Sequence, residues 1–115
     1  DDALRLAQSA GAAAALAQVP RALQRGDVAA LADLSGPQAV ALLQKVCHDA
    51  MAVSVGAAPR FFAPEALPRG TALPALVRWS KALAQAARTA DHPFQAGLMA
   101  EALVAQARNA LNSKA

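Results

Sequence analysis

Apolar residues along the 115-residue chain recur at steps of three and four, the period of an α-helix with one buried side. The clearest case spans 37–55, where Val40, Leu43, Val46, Cys47, Ala50 and Met51 form one wide stripe. Gln44, Lys45, His48 and Asp49 fall off that stripe. A second helix is predicted over 74–90, with Leu73, Leu76, Val77, Leu83, Ala84 and Ala87 on one face. Its opposite side carries Arg78, Lys81, Gln85 and Arg88. A third covers 93–112, with Met99, Leu103, Val104, Ala107, Ala110 and Leu111 gathered inward and Glu101, Arg108 and Asn112 outward.

Shorter helices precede these. Residues 3–8 read as the end of one, Ser9 and Gly11 break it, and 12–24 read as the next, kinked or shortened by Pro20. Gly26 suits a helix C′ position and Asp27 the following N-cap, opening a short helix over 28–34. Ser35-Gly36-Pro37 starts the long helix and Gly56 closes it. Between 57 and 74 the pattern fails. Four of the seven prolines and Gly70 fall there, so this is a loop, with Phe61 and Phe62 expected to pin it to the body. The expected fold is all-α, a compact bundle of five or six helices, with the three longest packed antiparallel.

Composition agrees. The chain is 56% hydrophobic but 3% aromatic, and it holds 34 Ala, 15 Leu, 8 Val, no Ile and no Tyr. Strand-forming residues are too few for a sandwich, barrel or Rossmann sheet. Alanine on contact faces lets helix axes approach to about 8 Å. No run of about 18 strongly apolar residues exists, so a membrane span is not expected. The net charge of +3 is small and no basic cluster stands out. The opening Asp1-Asp2, without Met or a basic leader, reads as a fragment of a longer cytoplasmic protein.

Candidate chemistry is sparse. Cys47 is the single cysteine, which excludes an internal disulfide and fits a reducing compartment. Cys47 and His48 point about 100° apart on a helix and do not form a nucleophile–base pair. His48 and His92 lack the spacing of metal ligands, Glu65 and Glu101 are the only glutamates, and no glycine-rich phosphate loop occurs. No catalytic, metal or cofactor site is therefore expected, and no small-molecule substrate. Arg78, Lys81 and Arg88 form a basic stripe, read chiefly as a solvated face. Trp79 reads as a core anchor, with a subunit-interface role as the alternative.

The chain resembles the C-terminal part of the delta-prime subunit of bacterial DNA polymerase III clamp loaders. Three stretches carry the likeness. Residues 3–16, Ala-Leu-Arg-Leu-Ala-Gln-Ser-Ala-Gly-Ala-Ala-Ala-Ala-Leu, are similar to the end of an AAA+ lid, with Gln8 and Ala10 where that family shows Gly and Pro. Residues 42–63 run Leu-Leu-Gln-Lys-Val-Cys-His-Asp-Ala-Met into a Pro/Phe loop. Residues 76–104 include Asp91-His92-Pro93-Phe94, then Gln95 (the family typically has Asn), Leu98, Met99, Glu101 and Leu103.

The resemblance implies a lid remnant and connecting helix over 1–25 and a helical collar domain over 26–115. It implies a non-catalytic role in DNA replication, holding together the pentamer that loads the sliding clamp onto primed DNA. Its expected partners are the gamma/tau and delta subunits, with DNA met only through the assembled complex. The absence of Arg from 9–16 fits a subunit that does not hydrolyse ATP. Candidate interface residues on this view are Arg78, Trp79, Lys81, Arg88, Phe94, Leu98 and Glu101. The alternatives are a basic helical nucleic-acid-binding module using Arg78, Lys81 and Arg88, or the equivalent collar domain of delta or gamma/tau. The collar view predicts an exposed apolar patch of Ala, Leu and Val.

Overall fold

The computed structural model describes residues 17–90 and 96–115, with side chains at 96–98 outside that set. Four α-helices carry the described chain: α1 (Val19–Arg25), α2 (Gly36–Ser54), α3 (Leu73–Thr89) and α4 (Ala96–Leu111). Short 3₁₀ turns at Val28–Leu31 and Pro64–Ala66 complete it. That is fewer helices than the five or six expected. Residues 28–31 close only a 3₁₀ turn, and the stretches 3–8 and 12–16 lie outside the described residues.

Local chemistry sets the boundaries. Pro20 lies in the first turn of α1, where no intrahelical N–H is missed. Gly26 ends α1 in the left-handed region at φ 75°, and its N–H bonds back to the last turn. Asp27 accepts from the Ala29 amide and starts the 3₁₀ turn. Ser35 and Gln38 form a reciprocal capping box at the head of α2, Ser35 Oγ accepting from the Gln38 amide and Gln38 Oε1 from the Ser35 amide. Residues 91–95, including the Asp91-His92-Pro93-Phe94 stretch, lie outside the described residues.

The core forms where α2, α3 and α4 meet. α2 packs most extensively on α3, both pack on α4, and α1 packs on α4 as well, adding Val19 and Leu23 to the same core. Val40, Leu43, Val46, Cys47 and Ala50 of α2 are buried as the periodicity requires, with Met51 half-buried. Leu103, Val104, Ala107, Ala110 and Leu111 of α4 are buried likewise.

α3 is rotated from its expected orientation. Ala75, Leu76, Trp79 and Leu83 face the core, while Leu73 and Val77 are 38% exposed and Ala84 and Ala87 are exposed. The size of Trp79 explains the rotation. A buried Trp removes about 150–250 Å² from water, worth roughly 4–6 kcal/mol at about 25 cal/mol per Å², against about 1.5–3 kcal/mol for a valine or leucine. Leu73 and Val77 are only 38% exposed and forfeit only part of their burial, so turning the helix toward Trp79 gains more than it loses there.

The ends of α2 and α3 approach very closely. A Cβ at Gly36 would collide with the carbonyl oxygen of Ala90, a backbone atom that cannot swing aside. After α4 the chain turns back along 70–72. Ser113 accepts from the Ala72 amide at 2.8 Å, and the Ala115 amide donates to Gly70 O at 2.8 Å. Asn112 donates to Gln24 O, joining the ends of α4 and α1. Gly36→Ala is expected to lower unfolding free energy by about 1–3 kcal/mol in urea titration, even though alanine is the better helix former, because the collision outweighs propensity.

Candidate functional site

The most constrained polar group in the described chain is Asp49, on α2. The sequence pattern places it off the apolar stripe, beside His48 and Lys45. The structure buries it completely, at 0% exposure. Its carboxylate faces the loop that follows α2, and every bond it accepts serves that loop or its own helical neighbour. Oδ1 accepts from the Arg60 amide at 2.9 Å, and Oδ2 accepts from the amides of Phe61 and Phe62, both at 2.7 Å. The His48 ring approaches Oδ1 through Nδ1 at 2.9 Å, so Nδ1 is the donor while Asp49 is ionised.

These bonds decide the protonation state. Burial pushes the Asp49 carboxyl up. The His48 ring and the Arg60, Phe62 and Phe61 amides outweigh that, and hold it below its ordinary value. A carboxylate that accepts several N–H bonds needs no cation to remain charged in a dry site.

The clamp displays a surface cluster. Phe62 turns inward against the core, but Phe61, expected to pin the loop, is 46% exposed. Three groups surround its ring. Lys45 Nζ stands 5.6 Å and the Arg60 guanidinium 5.4 Å from the ring centre, and the His48 ring meets it edge-on at 5.6 Å. Among the described residues, no carboxylate comes within ion-pair distance of Lys45 or Arg60. The loop is also fixed farther along, where Arg21 donates to Glu65 O at 2.7 Å.

The expected interface residues are dispersed. Arg78, Lys81 and Arg88 are exposed along α3, as is Glu101 on α4. Trp79 is 3% exposed and belongs to the core rather than to any surface. Its Nε1 is buried without a hydrogen-bond partner. It backs a shallow cleft of about 280 Å³ between α3 and α4, which Arg78, Gln106 and Asn109 also line. Phe94 lies outside the described residues, and so does the side chain of Leu98. The outward side of α3 instead brings together Leu73, Val77, Ala84 and Ala87, with the Arg78, Lys81 and Arg88 stripe beside it.

Cys47 is buried and donates to Leu76 O at 3.4 Å, and burial pushes its thiol up to about 11. It sits one position from His48 but points about 100° away from it around the helix, and the imidazole engages Asp49 instead. A thiol so placed is a packing residue, not a nucleophile. Among the described residues no three His, Cys, Asp or Glu side chains gather as metal ligands would, and no helix is long and apolar enough to cross a membrane.

Sequence reasoning missed the Asp49 clamp and the cluster around Phe61. One signal was present: an acidic residue next to the apolar stripe of α2, followed about a dozen residues later by a proline-bounded Arg-Phe-Phe run whose amides no helix could satisfy. No protein family, curated protein or solved structure matches the chain.

Asp49→Ala leaves three loop amides without their acceptor and is expected to cost about 3 kcal/mol or more in urea unfolding. The pH dependence has a definite sign. Because the folded-state value lies below the unfolded one, the Asp49 contribution is fully present above pH about 4 and is lost as pH falls through the folded-state value. Asp49→Asn should remove that acid-dependent part of the stability profile, leaving a flatter curve below pH about 4.

Proposed function

We propose that this chain is a non-catalytic oligomerisation module of the clamp-loader collar type, in the position of the delta-prime subunit. Its partners would be gamma/tau and delta subunits, in the assembly that loads the sliding clamp during DNA replication in the cytoplasm. Residues 1–25 would belong to the preceding lid and connecting helix, and 26–115 to the collar domain. The proposal rests on the resemblance carried by residues 3–16, 42–63 and 76–104, and the outward face of α3 is the observation that supports it best.

That face has the form of a helix contact. Leu73, Val77, Ala84 and Ala87 recur at steps of four, seven and three, the spacing of a packing stripe, yet all four are exposed. Their stripe is centred about a quarter turn from that of the buried Leu76, Trp79 and Leu83, so the apolar surface of the helix runs on beyond its buried side. A lone globule gains nothing from that extension. A neighbouring helix laid along it would bury the leucine and valine, and the two alanines would admit a close approach. Arg78, Lys81 and Arg88 would then form a charged rim beside an apolar centre, the usual arrangement of a stable interface. Such an interface should cover more than about 1,000 Å².

The same three bases favour a second reading, a nucleic-acid-binding surface on α3, because they are exposed on one side of one helix. Co-purification separates the two. The tagged chain is expected to capture gamma/tau, delta or both, and Val77→Asp should abolish capture. Val77 is 38% exposed and faces away from the core, so the variant should stay folded, and urea unfolding of the same variant separates lost capture from lost structure. Capture of neither subunit would overturn the collar assignment.

A further inference from the structure

We infer that the cluster of Phe61, Lys45, Arg60 and His48 is a binding site for single-stranded nucleic acid, with one base stacked on the Phe61 ring and the flanking phosphates held by Lys45 and Arg60. This site lies on α2 and its following loop, apart from the α3 face, and stands or falls independently of the collar assignment.

The first observation is the investment in holding an exposed ring. A buried carboxylate is costly, and Asp49 spends its capacity on the amides of Arg60, Phe61 and Phe62. The main chain on both sides of Phe61 is thereby fixed, while the ring itself remains 46% exposed. A rigidly mounted aromatic platform loses little freedom when a ligand stacks on it.

The second observation is charge. Lys45 and Arg60 approach the same ring to 5.6 and 5.4 Å, and no carboxylate among the described residues neutralises either. Two cations stand there against one ionised carboxylate, that of Asp49. It is fully buried, and His48 Nδ1 and the Arg60 amide share its Oδ1. The patch is therefore positive around an apolar, planar centre. Both cations sit on long, flexible stems, so each can swing from the ring to a phosphate when a base takes its place.

Charge complementarity alone would also suit an acidic peptide. The ring decides between them. A carboxylate makes no favourable use of an aromatic face, whereas every base has a planar face to stack there. Alternation of an aromatic with cations is the arrangement that tracks a single strand without reading its sequence.

The test is fluorescence anisotropy of the 115-residue chain with labelled oligo-dT at about 50 mM salt, repeated as salt rises. Binding is expected. Phe61→Ala should weaken it by about 5-fold or more, and Phe61→Trp should restore it, because stacking and not local structure is being removed. Lys45→Gln and Arg60→Gln should each reduce the salt slope by about 0.7, the value for one phosphate contact on a single strand. Far-ultraviolet circular dichroism of the helices checks that each variant remains folded. No binding at low salt would overturn the inference. So would unchanged affinity in a folded Phe61→Ala variant, loss of binding through Arg78→Gln and Arg88→Gln alone, or tighter binding of poly-glutamate than of oligo-dT.

Discussion

A carboxylate withdrawn from water destabilises a protein by several kcal/mol unless its lone pairs are matched by donors. At Asp49 the match comes from three consecutive main-chain amides and an imidazole. The exchange benefits both sides. The loop after α2 contains prolines that forbid helix, so its amides have no regular partner, and a carboxylate satisfies three of them at once. The charge–amide bonds are the strong kind, short and aligned at 2.7–2.9 Å. Much else depends on this clamp. It fixes where the loop leaves α2, turns Phe62 into the core and leaves Phe61 outside. It also lets residues 70–72 reach the C-terminal segment that closes the other end of the loop.

Around this polar anchor the packing is thin. The core is built from alanine, leucine and valine, and among the described residues Trp79 is the one large aromatic wholly within it. With so much alanine, each helix contributes little area per residue, and the position of a single indole is enough to set the rotation of α3. The consequence reaches the surface. Turning Trp79 inward turns Leu73 and Val77 outward, and a helix that would have been simply amphipathic acquires apolar surface beyond its buried side. The apolar surface left over by folding is the kind of surface that assembly uses.

The helices were legible because their signals are local. Period, caps and breakers placed α2, α3 and α4 within a few residues, and Ser35-Gly36-Pro37, Gly26 and Asp27 each took the role their chemistry predicts. The facing of α3 was not legible, because periodicity counts apolar positions equally while packing weights them by size. Leu73, Val77, Ala84 and Ala87 outnumber Trp79 on the helix and lose to it in the core. Asp49 was hidden for a different reason. Its partners lie 11 to 13 residues away in a segment with no period, and a buried acid is indistinguishable from a solvated one until the donors around it are known. The cluster at Phe61 was lost with it, since Lys45, His48 and Arg60 look scattered until the loop is folded back on α2.

The clamp can be read directly by amide hydrogen exchange at Arg60, Phe61 and Phe62. Loop amides in contact with water exchange at close to the unstructured rate, whereas these three should exchange far more slowly, tracking the opening of α2 and α3. Protection of all three at neutral pH, lost together in the Asp49→Ala chain, is the predicted result. Unprotected exchange at these amides in a chain whose α2 and α3 amides remain protected would contradict the account.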